Sequence, residues 1–212
     1  MTKKKNNYSY IGISFIVLLF GIWAVPKIMD RLGSQETEMA TIGPVPNFSL
    51  TNHHGETITH KDMLGKVYVV EFFFTTCPSI CPIMHKSLVK VQDKYFGNPN
   101  VGFVSVTINP EFDTPEVLNA YAKENNVTNN NWQFLTGELD DIYTLANQGF
   151  NLYAAEAPEV EGGFEHSGFF ALVDKKGNIR SRLVEQGNPK IYYNGLEDSD
   201  VKMLTDDIKK LL

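Results

Sequence analysis

The chain has 212 residues, 42% of them hydrophobic and 21% charged, which suits one globular domain with a short appendage and excludes a largely disordered polymer. Its net charge of −6 is unevenly spread, with +4 on the first 31 residues and −10 on the rest. So acidic a body repels phosphate and excludes nucleic acid as the expected partner.

Between Lys5 and Lys27 no residue is charged, and Tyr8–Val25 reads YSYIGISFIVLLFGIWAV. As a helix rising ~1.5 Å per residue this run spans roughly 27 Å, close to a hydrocarbon core. Trp23 and the pair Tyr8/Tyr10 stand near its ends, where amphipathic rings prefer the interface. A cleaved signal peptide is the rival reading, but GIWAVPKIMD after Phe20 offers no A-x-A-like site. The expectation is a cytoplasmic tail over 1–7, an uncleaved transmembrane helix over 8–26, a linker over 27–46 and a folded domain over 47–212. Lys3, Lys4 and Lys5 place the tail inside and the domain on the outer or periplasmic side of the inner membrane.

Leu32–Pro46 is polar and rich in Gly and Pro, as a linker is. Phe48-Ser49-Leu50 followed by Asn52-His53-His54-Gly55 predicts a hairpin. Lys66–Thr75 (KVYVVEFFFT) and Val101–Ile108 (VGFVSVTI) are near-continuous apolar runs, the pattern of strands buried on both faces. Between them Met84, Leu88, Val91 and Tyr95 fall on one helical stripe. Thr114-Pro115-Glu116 gives a cap followed by Pro at the first position of another helix, and Asp113 is expected to help in the capping. A short strand is expected over Trp132–Leu135, a helix over Leu139–Gln148, and an acidic loop over Ala154–Glu165. A hairpin follows around Lys176-Gly177-Asn178, and then a last helix capped by Asp198 or Ser199, with Val201, Leu204, Ile208 and Leu211 on one side. Strands alternating with helices predict an α/β layout on one mixed sheet flanked by helices.

Cys77 and Cys81 are the only two cysteines. They follow a buried strand and open a helix, where unpaired amides stabilise thiolates. A structural disulfide is the bland alternative, but it would close a loop too small to restrain the unfolded chain much. Pro82 fits a first helical position, with Cys81 as the cap and Cys77 in the turn before it.

The segments FFFTTCPSICP, VSVTINPEFDTPEVL, FLTG and EHSGFFALVD, in that order, resemble the Sco/SenC family over roughly Pro46–Leu183. The resemblance implies a thioredoxin-like fold on a membrane tether. It also implies copper, Cu(I) or Cu(II), held by Cys77, Cys81 and His166, and service to the copper-bearing subunit of cytochrome c oxidase. The copper donor has no signature in the chain. Two thiolates and an imidazole suit a soft ion, whereas structural zinc normally takes four protein ligands. Gly162 and Gly163 are expected to let His166 swing on and off the metal. Asn109 stands where the family usually has Asp.

Glu71 lies six residues before Cys77, where thioredoxins keep a buried carboxylate that accepts a proton from the second thiol. The alternative is a strand-end acid paired with Lys or Arg. Met84 reads as core, His85 as solvated, and His53, His54 and His60 as loop residues. The competing activity is thiol–disulfide exchange on the target's cysteines, which needs the same deprotonated sulfur as metal binding. The C-x-x-x-C spacing, and EHSG in place of the Pro that thioredoxin-like reductases carry, lean toward metal. A peroxiredoxin is the third reading, opposed by Phe74 where that family has Thr.

Overall fold

The computed structural model describes residues 9–33, 39–184 and 187–212, with side chains of the first helix described over Gly12–Val25 and at Lys27. The expected tail over 1–7 lies outside these residues. The chain divides into two compact units, Met1–Glu38 and Met39–Leu212.

In the first unit, Ser9–Gly33 forms α1, which continues past the expected end at 26. Ile13, Phe15, Leu19, Phe20 and Trp23 are exposed along it, and Lys27 Nζ lies 4.6 Å over the Trp23 ring. Among the described residues, no helix is long and apolar enough to cross a membrane. The transmembrane expectation for 8–26 is therefore not carried by the structure.

In the second unit, Met39–Pro44 is a strand, β1, within the segment read as linker. Its Gly and Pro hide it from a pattern search, yet it pairs antiparallel with a later strand from Met39↔Arg182 to Pro44↔Asn178. The expected first hairpin follows as β2 (Ser49–Asn52) and β3 (Thr57–Thr59). The central strand β4 (Val67–Phe73) is buried at every position, as its apolar run requires. It leads through the cysteine turn to α2 (Cys81–Lys94), β5 (Val101–Thr107), α3 (Pro115–Glu124) and β6 (Trp132–Thr136). Then come α4 (Leu139–Thr144), a π-helical turn over Leu145–Gly149, and β7 (Ala154–Glu156), β8 (Phe164–His166), β9 (Phe169–Val173) and β10 (Asn178–Arg182). The two-residue β11 (Tyr193–Asn194) and α5 (Asp198–Leu211) complete the unit.

The main sheet runs β1-β10-β9-β4-β5-β6-β2-β3, with β11 pairing on β9. β4, β5 and β6 are parallel and their neighbours antiparallel, the expected mixed sheet. Alternation along β4 sends Phe73 toward Tyr121 and Phe134 and Phe72 toward Phe150, so both sheet faces are covered. Each of these buried rings contributes about 1.5–3 kcal/mol from burial alone. At the start of α3, Thr114 accepts from the Val117 amide, so Thr114 and not Asp113 is the cap. At the start of α5 the cap position is Glu197, one residue before the expectation.

Candidate metal centre

β4 ends at Phe73, and the chain turns back on itself through a Cys77 amide bond to the Phe74 carbonyl at 3.2 Å. Cys81 is the first residue of α2 and Ile80 its cap position, one residue earlier than the sequence indicated. Pro82 follows in the first turn, where a missing N–H costs nothing. Both cysteines are free and buried.

His166 arrives from the other side. The segment expected to be a loop over Ala154–Glu165 is a hairpin, β7 against β8, which pairs with itself and not with the main sheet. Asn147 ties its base, donating to the Ala154 carbonyl at 2.8 Å and accepting from the Ala154 amide at 3.0 Å. Its tip rests on the cysteine turn. Gly162 has φ +95°, and a Cβ there would meet Phe74 and Pro78 at 3.1 Å. Phe164 and His166 pack on the Phe74 ring, at centroid distances of 5.4 and 6.0 Å. Phe74 thus serves as the common floor for the turn and the hairpin.

The result brings together the three residues expected to ligate. One ligand atom from each of Cys77, Cys81 and His166 lies within 4.8 Å of the other two, the only such His/Cys/Asp/Glu group among the described residues. His166 Nε2 stands 3.0 Å from Cys81 Sγ. Its Nδ1 lies 3.1 Å from the Ser167 carbonyl, which can only accept, so Nδ1 carries the ring hydrogen and Nε2 offers its lone pair inward. A hydrogen bond from Cys81 holds the Cys77 thiol well below the usual range, and the same bond with burial pushes Cys81 up. Two soft donors and one imidazole, buried and with no fourth His, Cys, Asp or Glu joining them among the described residues, match a three-coordinate soft-metal site.

Glu71 is buried in β4 opposite Ser105 of β5, not in the trio. Ser105 donates to its Oε1 at 2.7 Å, while Oε2 has no partner. Burial pushes this carboxyl up to about 7. It forms no ion pair with Lys or Arg among the described residues, which removes the strand-end alternative. Met84 is core, as expected. His85 is not solvated: it is buried, stacks on Trp132 at 5.3 Å and lies 2.9 Å from the Asn125 carbonyl. Its place one helical turn after Cys81, on the buried stripe, was the missed signal. His53 is likewise buried against Phe134. Sequence reasoning also missed Thr75 and Thr107, which bond the buried Asp113 carboxylate.

Comparison with known proteins agrees with this geometry. The SCO1 protein homolog of Bacillus subtilis is 28% identical over 179 residues, covering 84% of this chain and 87% of that one. The solved structure of BsSco, a member of the Sco family of cytochrome c oxidase assembly proteins in which a disulfide switch has been identified, superposes with a TM-score of 0.67 at 27% identity, over 81% of this chain and 95% of that one. Arabidopsis thaliana ScoI with copper bound superposes with a TM-score of 0.62 at 27% identity, over 78% and 96%. The SCO1/SenC family model matches residues 34–199, and with most of the chain inside that match the protein belongs to the SCO1/SenC family.

Proposed function

We propose that this protein carries copper as cargo between Cys77, Cys81 and His166 and helps load the copper-bearing subunit of cytochrome c oxidase. The convergence of these three donors carries the reading. It is supported by the copper-bound Arabidopsis relative and by the oxidase-assembly role of BsSco. Two thiolates favour Cu(I) over harder ions, leaving a net charge of −1 on the Cu(I) site and zero on the Cu(II) site. The centre therefore accepts either oxidation state at small electrostatic cost.

The tether belongs to the same proposal: tail over 1–7 and single-pass helix over 8–26, with the folded unit that begins at Met39 on the periplasmic side of the inner membrane. The exposed apolar side chains of α1 and the lysines before it support this arrangement. In a second reading, the free cysteines, one lowered and one raised, reduce the target's cysteines before metal insertion. There Glu71, in the fraction ionised near its raised pKa of about 7, accepts the proton from the second thiol.

Anaerobic copper titration of the purified chain tests the main reading. The wild type is expected to bind one copper tightly. Cys77→Ser and Cys81→Ser should nearly abolish binding, and His166→Ala should weaken it by roughly 10–100-fold. Unchanged stoichiometry and affinity in all three variants would remove the proposed ligands.

A further inference from the structure

Asp113 is wholly buried, and the cap it was expected to supply comes from Thr114. Among the described residues it forms no ion pair. A buried carboxylate without a cation is costly unless donors surround it. Its donors are two threonines. Oδ1 accepts from the Thr75 hydroxyl, and Oδ2 accepts from the Thr107 hydroxyl and from the Thr75 amide at 3.1 Å.

The sheet itself already joins β4 to β5 as far as Phe73↔Thr107. Beyond Phe73 it offers no constraint. Over Phe74–Ile80 the Cys77 amide donates to the Phe74 carbonyl, and the Thr75 amide is held by Asp113. Cys81 is fixed independently by α2, and His166 by β8 and the Phe74 ring. Cys77 sits in a turn whose entry, Thr75, is tied down by a side chain 38 positions further along the chain.

We propose that Asp113 is a positioning residue for Cys77. By gripping Thr75 at both amide and hydroxyl, it sets the turn that holds the Cys77 sulfur beside that of Cys81. This deepens the copper reading, since it concerns the same sulfurs, but its test needs no copper.

The full chain is equilibrated with mixtures of reduced and oxidised dithiothreitol, and the fraction of Cys77–Cys81 disulfide is measured. As that S–S bond is cleaved, the reagent closes to its cyclic disulfide, so two electrons and two protons pass to the protein. The equilibrium constant for closing the pair reports how well the sulfurs are held together. Asp113→Ala is expected to lower it on the order of tenfold. Asp113→Asn keeps an acceptor for Thr75 and should restore most of the loss. Thr107→Val removes the same carboxylate's bond to β5 and should lower the thermal midpoint while leaving the constant unchanged. The proposal is overturned if Asp113→Ala leaves the constant unchanged, if Thr107→Val shifts it as far, or if Asp113→Asn fails to restore it. Should Asp113→Ala not fold, Thr75→Val decides by the same measurement, a lowered constant supporting the proposal and an unchanged one overturning it. A wild type that binds no copper yet shows this pattern would sink the copper reading and leave Asp113's role standing.

Discussion

A carboxyl group inside a strand either finds donors or keeps its proton. Glu71 has one donor, Ser105, whose oxygen in turn accepts from Trp132 Nε1 at 2.9 Å. With Oε2 unpartnered and its pKa raised to about 7, it folds most readily in the neutral form. Below its unfolded pKa both states hold the proton and the group costs nothing. Between roughly pH 4.5 and 7 the unfolded chain releases it first, so stability falls as pH rises and then levels off above the folded value. The accumulated penalty is on the order of 3 kcal/mol. Glu71→Gln should therefore flatten urea stability between pH 5 and 8 (about the window set by these values) and make the variant the more stable protein at the alkaline end. A wild-type slope equal to that of the variant would contradict the buried neutral acid.

At the scale of elements, the β7–β8 hairpin contributes one ligand while standing outside the main sheet. Gly162→Val would force a side chain into a left-handed φ and against Phe74 and Pro78. The local strain is about 1–3 kcal/mol. Copper affinity, measured by competition with a chelator, should fall on the order of tenfold, with the global melting midpoint changed little because the sheet is not involved. This hairpin also shows where the sequence stops being legible. β4, α2, β5 and α3 could be read because long apolar runs and a helical stripe repeat over enough residues to stand out. β7 and β8 have three residues each and sit among exposed glutamates, so no period develops. β1 fails for another reason: its Gly and Pro are those of a linker, and only its partner β10 makes it a strand. Cys77 and Cys81 announced themselves by spacing and position, whereas His166 needed the family resemblance, because the Phe74 floor that brings it in is a tertiary contact.

Across the whole domain, the last helix closes the fold through a buried charge. Asp207 is fully buried on the apolar stripe of α5 and accepts from Arg182 Nε at 2.9 Å, Tyr193 at 2.8 Å and Lys210 at 2.8 Å. It ties α5 to β10 and β11 at once. Asp207→Ala would leave Arg182 and Tyr193 without their acceptor, and chemical denaturation should show a loss of about 3–5 kcal/mol. By contrast, Lys90→Ala breaks an exposed pair with Asp198 and should cost under ~1 kcal/mol. Comparable losses from the two variants would mean that Asp207 is no keystone.

The hydrogen bond from His166 to the Ser167 carbonyl bears on how the ring meets its cargo. With the imidazole hydrogen parked on the outward nitrogen, no hydrogen has to cross the ring before the inward nitrogen can bind. The same bond keeps the imidazole plane oriented while the cation arrives.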